Sequence, residues 1–320
     1  MPSDRSPLAK ARRVVVTGGA GFIGSHIVDD LIARRHAVVA VDDMSSGRED
    51  NLRDAIERGA RVEKLDVRAP GFRELVRAEA PDVIVHLAAQ IDVRRSVQDP
   101  IADADLNILG TLAVLEAARE AKTDTVLIAS SGGTIYGEPR KLPVPEAART
   151  RPVNPYGISK RVLNDYAGFY RDAYGIRTVL LALGNVYGPR QDPHGEAGVV
   201  AIFLGRMLRG ETPVIYGDGS QVRDYVYVTD AADAFARAMD ADVHGTINIA
   251  TGKGTSVSEL FKTCARTIGY KGKPDFAPPR PGELQASVLD VGLAARALGW
   301  KPKTALTQGL KRTATSIAAG

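Results

Sequence analysis

The stretch Val14-Val15-Val16-Thr17-Gly18-Gly19-Ala20-Gly21-Phe22-Ile23-Gly24, with the apolar-periodic run behind it, decides the fold. Three β-branched residues in a row read as a buried strand, and Ile23–Arg35 reads as a helix. The glycines lie between the two. Gly18 allows a tight turn, Gly21 lets backbone approach a pyrophosphate, and Gly24 lets helix and strand pack closely. The helix amino end then offers free N–H groups and a positive dipole end to phosphate oxygens. A glycine pattern alone is weak; strand before and helix after are the context that gives it meaning. The next strand ends Val41-Asp42-Asp43, with Asp42 18 residues beyond Gly24. A carboxylate there bonds the adenosine ribose hydroxyls and repels a 2′-phosphate, which points to NAD rather than NADP. Arg48, shortly after, is the one feature that would welcome a phosphate.

Outward from this unit the same rhythm repeats. Strand-like runs at Ala37–Val41, Arg61–Leu65, Asp82–Val85, Thr125–Ala129 and Arg177–Leu183 alternate with helical stretches at Glu49–Arg58, Phe72–Glu79, Leu106–Ala121 and Ile158–Tyr174. Buried strands alternating with helices predict an α/β fold, a Rossmann-type doubly wound parallel sheet. After about Gly184 the rhythm breaks, and Gly and Pro crowd into Gly188–Gly198, Gly217–Gly219 and Pro274–Gly282. Loops of that kind line ligand sites carried on a rigid sheet. The expected organisation is a flexible basic tail at residues 1–12 and a cofactor domain at 13–183. A smaller C-terminal substrate lobe at 184–320 follows, discontinuous because about 226–250 return to the first domain.

Composition narrows the class. Of 320 residues 44% are hydrophobic and 25% charged, close to globular averages, so disorder is excluded. Apolar runs are too short to span a membrane, and the opening residues lack the apolar stretch of a secretory signal. The single cysteine, Cys264, permits no internal disulfide and no zinc cluster of thiolates, and fits a reducing cytoplasm. No metal is expected. The formal charge of +4 is spread over scattered basic residues, not the concentrated stripe that nucleic-acid binding wants.

Asn154-Pro155-Tyr156-Gly157-Ile158-Ser159-Lys160 opens a helix that places Tyr156 and Lys160 at i and i+4 on one face. A phenol of pKa ~10 is a poor base at neutral pH. An ammonium beside it, and a cationic nicotinamide, should stabilise the phenolate and lower that value. Such a pair can take a proton from a sugar hydroxyl while hydride leaves the same carbon.

Taken with Asp66-Val67, His86-Leu87-Ala88-Ala89-Gln90, Asn107 and Ser130-Ser131-Gly132-Gly133-Thr134-Ile135-Tyr136-Gly137, these motifs resemble the extended short-chain dehydrogenase/reductase family. Gly184-Asn185-Val186-Tyr187-Gly188-Pro189, Tyr216-Gly217-Asp218-Gly219, Gln221-Val222-Arg223-Asp224-Tyr225 and Pro279-Arg280-Pro281-Gly282-Glu283 extend the resemblance to its nucleotide-sugar members. Within those it is similar to the UDP-glucose (UDP-galactose) 4-epimerases of actinobacterial type, over about residues 13 to 312. The resemblance implies the following roles. Gly18, Gly21, Phe22, Ile23 and Gly24 hold the NAD pyrophosphate. Asp42, Asp43, Met44, Ser45, Ser46 and Gly47 surround the adenosine ribose. Asp66 and Val67 contact adenine, and Leu87, Ala88, Ala89, Gln90 and Asn107 line the nicotinamide side. Tyr156 is the base, and Lys160 holds the nicotinamide ribose and tunes it. Asn185, Tyr216, Gln221, Arg223, Arg280 and Glu283 hold the nucleotide diphosphate of a UDP-sugar.

The sequence departs from the family at one place. Counted back from Tyr136, the third serine of the family's Ser-Ser-Ser motif falls on Gly132, so Ser131, Thr134 or a water must supply the hydroxyl. The 4,6-dehydratases of this scaffold carry an Asp-Glu pair, and the UDP-glucuronate decarboxylases a Glu, where this chain reads Gly132-Gly133. The implied reaction is therefore 4-epimerisation through a 4-keto sugar, with UDP-glucuronate or another nucleotide sugar as the alternative substrate. A non-enzymatic nucleotide sensor of the same fold is disfavoured by the retained Tyr156 and Lys160. Ser287 falls where family members selective for UDP-glucose and UDP-galactose have a tyrosine wall, which implies room for N-acetylated sugars. Leu106, Leu109, Leu112 and Leu115, with the Val162–Tyr170 stripe, imply the helix pairing of a homodimer.

Overall fold

The computed structural model describes residues 11–193, 198–280 and 284–319. In chain order the first half holds β1 (Arg13–Thr17), α1 (Phe22–Ala33), β2 (Ala37–Asp42), α2 (Arg53–Glu57), β3 (Arg61–Lys64), α3 (Pro70–Glu79) and β4 (Val83–His86). It continues with α4 (Val93–Gln98), α5 (Pro100–Ala104), α6 (Gly110–Ala121), β5 (Thr125–Ser131), α7 (Pro155–Tyr174) and β6 (Arg177–Leu183). The second half adds β7 (Asn185–Tyr187), α8 (Val199–Leu208), β8 (Val214–Tyr216), β9 (Val222–Tyr227), α9 (Val228–Asp240) and β10 (Gly245–Ile249). It ends with β11 (Gly254–Ser256), α10 (Val257–Ile268), β12 (Asp275–Ala277), β13 (Ala286–Ser287), α11 (Gly292–Leu298) and α12 (Leu306–Ala319).

Among the described residues the main sheet is seven-stranded and parallel, in the order β10-β6-β5-β4-β1-β2-β3. Its inner strands are largely apolar because both faces are covered, whereas the edge strand β3 reads Arg61-Val62-Glu63-Lys64 and is only partly buried. Val14 and Val16 of β1 face one helical layer, with Ile27, Leu31 and Phe235, while Val15 faces the other, with Phe72, Leu115 and Leu163. The order reverses between β1 and β4, and the crevice beyond the carboxyl ends of those strands is where such sheets bind ligands.

One sequence expectation fails between Ile91 and Ala121. The helix expected at Leu106–Ala121 is only the end of a segmented path. Asp92 caps α4 by accepting from Arg94 N and Arg95 N, and Asp99 caps α5 by accepting from Ala102 N. A π-helical turn, Asp105–Leu109, joins α5 to α6. The expected leucine stripe is split as a result: Leu115 is fully buried in the core, whereas Leu109 is exposed. The expected helix at Glu49–Arg58 is likewise a 3₁₀ turn, Glu49–Leu52, followed by the short α2.

The remaining strands form small sheets around β9, which pairs with β7, β11 and β13, and between β8 and β12. Their core is a separate cluster that includes Tyr187, Phe203, Phe261 and Leu310. Asp224 on β9 fastens this lobe to the sheet end. Its buried carboxylate accepts from Thr251 N (2.8 Å), Gly252 N (2.9 Å) and Leu289 N (3.4 Å).

Candidate active site

The glycine turn brings α1 close to β1. Gly18 has φ +67°, and its carbonyl lies where a β-carbon on Gly24 would stand, 2.0 Å away. No side chain larger than hydrogen fits there without moving the turn. Gly21 caps α1 with no side-chain bond to the helix amino end, and the first turn holds no acidic residue. That end is left to an external anion. Asp42 lies beside it, buried, accepting from Ala20 N (3.0 Å) and Met44 N (2.9 Å). Burial holds its carboxyl above the ordinary carboxylate value, against the pull of those N–H bonds. Gly47 packs so close that a β-carbon would reach 2.5 Å from the Asp42 carboxylate.

Around this point the expected cofactor residues divide. Met44 adopts φ +62°, and Asp43 accepts from Ser45 N and Oγ, so the loop through Ser46 and Gly47 is folded on its own side chains. Asp66 is held by the Arg68 guanidinium, which keeps its carboxyl below the usual value. The Val67 side chain is buried in the core, so only its backbone can face a base. The Leu87-Ala88-Ala89-Gln90 segment leaves the end of β4 beside Gly18: a β-carbon on Gly18 would lie 2.7 Å from Ala88 N. Asn107 does not line an opening. It is 1% exposed and clamps Gln90 from the π-helical turn, accepting from Gln90 N (3.0 Å) and donating to Gln90 O (2.9 Å).

His86, at the end of β4, is buried between two hydroxyls. Its Nδ1 lies 2.7 Å from Thr17 Oγ1 and its Nε2 3.0 Å from Thr111 Oγ1. The Thr111 hydroxyl donates to Asn107 O, so Nε2–H donates to Thr111 and Nδ1 accepts from Thr17. Burial, reinforced by the Lys160 charge, pushes His86 down to about 3, and the ring is neutral.

Tyr156 and Lys160 sit on the first turns of α7, which the sequence starts sharply. Asn154 is the N-cap, accepting from Gly157 N at 2.8 Å, and Pro155 occupies the first helical position. Lys160 is buried, its Nζ donating to Ala129 O (3.2 Å) and lying 5.9 Å from the centroid of the half-buried Tyr156 ring. The Ser131 side chain neighbours the Tyr156 phenol and favours its ionised form. The expectation that the ammonium lowers the phenol is not met in the ligand-free chain. Burial, aided by the Asp103 charge and opposed by the Ser131 side chain, pushes Tyr156 up to about 12. Burial also pulls Lys160 down to about 8, against Asp103. Desolvation opposes charge on both groups, and at this distance the cation does not compensate the phenolate.

Packing explains why position 132 is a glycine. A β-carbon at Gly132 would lie 2.3 Å from Leu289 Cδ1 and 3.1 Å from Ala182 O, inside the cluster of Ile135, Tyr136, Val144 and Leu289. A serine here would point into packed side chains. Thr134 Oγ1 donates to Ser131 O (3.3 Å), closing the local turn. Of the two expected candidates, Ser131 is the one whose side chain influences the phenol. Gly133 looks the other way: its β-carbon would lie 3.9 Å from both Asn185 Oδ1 and Ser287 Oγ.

The substrate-side residues assemble from separate strands. Asn185 is on β7 and Ser287 on β13, both paired with β9; Ser287 is buried, in register with Arg223. Arg223 is half-buried and donates to Val222 O (2.9 Å). The Arg280 guanidinium stacks 3.9 Å from the centroid of Tyr216. Gln221 Nε2 donates to Tyr216 O (2.9 Å), while its buried Oε1 has no partner. Glu283 lies outside the described residues. Among the described residues no group of three or more His, Cys, Asp or Glu side chains is placed to hold a metal ion.

Two residues of this site escaped the sequence reading. Leu289 explains Gly132, and only the fold brings them together. Asp103 is 1% exposed and accepts from Ser159 Oγ (2.7 Å), Asn107 Nδ2 (2.9 Å) and Gln90 Nε2 (3.0 Å). The serine inside Tyr156-Gly157-Ile158-Ser159-Lys160 was the available signal, since a buried hydroxyl there needs a partner.

A glycine-cradled helix amino end at the crossover of a parallel sheet, beside a Tyr-x-x-x-Lys helix, defines a protein of the extended short-chain dehydrogenase/reductase class. The chain belongs to the GDP-mannose 4,6 dehydratase family, whose model matches residues 15–313. It is 47% identical over 304 residues to the UDP-glucose 4-epimerase of Mycolicibacterium smegmatis, covering 94% of this chain and 97% of that protein. Two solved structures are similar. The UDP-glucose 4-epimerase of Thermotoga maritima with UDP-glucose is 44% identical, with TM-score 0.93, covering 96% of this chain and 99% of that one. The Thermus thermophilus UDP-glucose 4-epimerase in complex with NAD is 41% identical, with TM-score 0.90 and the same coverage.

The packing at Gly132 makes a direct prediction. Gly132→Ser restores the family's serine in sequence but not in space, and overpacks the Leu289 cluster at a cost of about 1–3 kcal/mol. A lower urea midpoint with no gain in kcat is expected; a gain in kcat would place the hydroxyl in the site.

Proposed function

We propose that this chain is an NAD-dependent 4-epimerase of UDP-hexoses, interconverting UDP-glucose and UDP-galactose through a 4-keto sugar. The observation that carries the reading is the Tyr156 phenol, with Ser131 as neighbour and set beside Lys160, at the same sheet end as the glycine cradle. Relatives named UDP-glucose 4-epimerase, one with UDP-glucose and one with NAD, support it.

The residues present fit NAD. The uncapped amino end of α1 and the side-chain-free turn at Gly18, Gly21 and Gly24 suit a pyrophosphate. Asp42 suits the ribose hydroxyls and opposes a 2′-phosphate, with the loop from Asp43 to Gly47 around it. Asp66 and the Val67 backbone face adenine, and Leu87 to Gln90 face the nicotinamide, with Asn107 fixing Gln90 from behind. Bound NAD supplies a reversible two-electron oxidant. The proton is handled by the chain: Tyr156 takes it from the sugar 4-hydroxyl, and Ser131 orients both oxygens. Lys160 holds the nicotinamide ribose. Tyr156 becomes an effective base when positive charge joins it in the loaded site. Asn185, Tyr216, Gln221, Arg223, Arg280 and Glu283 hold the nucleotide diphosphate, where guanidinium groups match phosphate oxygens. With the diphosphate held, the 4-keto sugar turns and presents its other face.

The α5–α7 face carries exposed Ile101, Leu109, Ile158, Tyr166 and Phe169, more apolar surface than packing on the sheet uses. We assign it to a homodimer. No described helix is long and apolar enough to cross a membrane. With Cys264 the only cysteine, we place the enzyme in the cytoplasm.

Three outcomes test this reading. Tyr156→Phe should lower kcat for UDP-galactose at least ~10²-fold while UDP still binds; more than half the activity remaining would remove Tyr156 from the chemistry. Light scattering at micromolar concentration should give twice the chain mass, and a single-chain mass would refute the dimer. Ser287, a small side chain facing Gly133 and near Asn185, is read as the sugar wall, so UDP-N-acetylglucosamine should be epimerised too. Ser287→Tyr should then cut kcat/KM for that sugar much more than for UDP-glucose. No turnover of the acetylated sugar by the parent protein would place the wall elsewhere.

A further inference from the structure

Asp103 is a buried carboxylate that the proposed proton transfer does not use. All three groups that donate to it are neutral, and they come from three places: Gln90 after β4, Asn107 on the π-helical turn, and Ser159 on α7. Burying a carboxylate without a bonded cation is costly, and it persists only where its oxygens are well satisfied and its charge has a use. Ser159 lies between Tyr156 and Lys160, so the carboxylate bonds directly to the helix that carries both. We propose that Asp103 is a positioning residue for the reaction: one carboxylate locks the Gln90 loop to the Tyr156–Lys160 helix and stands as the counter-charge of Lys160. The inference rests on the epimerase reading above.

The surroundings leave Asp103 as the charge that matters here. Its field holds the Lys160 proton against burial and adds to burial in keeping the Tyr156 proton. From β4, His86 faces Lys160 and is neutral. β5 and β10 carry no ionisable side chain, and Arg177 at the start of β6 donates to the carbonyls of Ala238, Met239 and Ala241. On α4, Arg94 and Arg95 are exposed, as is Asp99 before α5. Asp105 pairs with Arg68, and Glu116 of α6 with Arg119.

The sign of the effect follows. The acid limb of kcat reports the phenolate and the alkaline limb the ammonium, and a nearby negative charge holds both protons on. Asp103→Asn keeps the shape and removes the charge, so both limbs should move down by about one pH unit. Ser159→Ala keeps the charge but removes one of its neutral donors, so both limbs should move up while kcat falls. A purely structural role would scale the profile without moving it. The Tyr156 signal in carbon-labelled tyrosine NMR, assigned with Tyr156→Phe, should titrate lower in Asp103→Asn than in the parent. An unmoved profile and an unmoved signal in Asp103→Asn overturn the proposal. If that variant does not fold, an unmoved profile in Ser159→Ala overturns it. A parent protein inactive on every UDP-hexose would instead sink the epimerase reading, and the Tyr156 signal would then decide the role of Asp103 alone.

Discussion

The approach of α1 to the end of β1 governs everything downstream. The Gly18 carbonyl occupies the space of a Gly24 side chain, so the helix starts almost in contact with the strand. That contact aims the helix amino end at the crevice where the sheet reverses order. Asp42 is held at the same point by N–H groups of the turn itself, from Ala20 and Met44. A turn displaced by one methyl group would therefore disturb the phosphate cradle, the ribose carboxylate and the packing of α1 together.

Placing the Tyr–Lys pair against such a sheet has an electrostatic consequence. The elements that position Tyr156 and Lys160 also exclude water from them, and exclusion disfavours the phenolate and the ammonium alike. For both groups burial outweighs their neighbours, with Nζ 5.9 Å from the ring centroid. The ligand-free chain thus holds the Tyr156 proton more firmly than a free phenol does. Positive charge delivered to the site with the cofactor is what changes the balance at Tyr156. A base that forms only in the loaded site protects against proton transfer where no oxidant is present to complete the reaction.

What could be read from the sequence, and what could not, divides along sequence distance. The cradle, Asp42 and the Tyr156–Lys160 pair are local patterns: a turn, a strand end and one helical turn. Their residue types are demanded by backbone geometry or by i,i+4 spacing, so the linear pattern carries them. The segmented path through α4, α5 and the π-helical turn was hidden because Leu106–Ala121 has a helical period that ignores how it begins. Asp103 was hidden because two of its three donors lie 13 residues before it and 56 after it. Gly132 looked like a lost catalytic serine. It became intelligible only when Leu289, brought in by the second half of the chain, was seen to fill the same space.

The Leu289 contact also shows how the two parts of the molecule are made to agree. Leu289 N donates to Asp224, whose carboxylate also gathers the backbone of Thr251 and Gly252. Leu289 packs on Gly132, next to Ser131, and its near neighbour Ser287 faces Gly133. One buried carboxylate on β9 thus ties down the segment just after Ser287, proposed above to wall the sugar pocket, and the side chain packed on Gly132. Asp103 does the same for the cofactor side, joining the Gln90 loop to α7. Each of these carboxylates is buried, satisfied by uncharged donors, and shared between segments far apart in sequence. A stereochemical inversion that needs the sugar to turn between two hydride transfers tolerates motion of the substrate. It does not tolerate motion of the walls, and satisfied buried carboxylates are stiff joints for walls built from several strands.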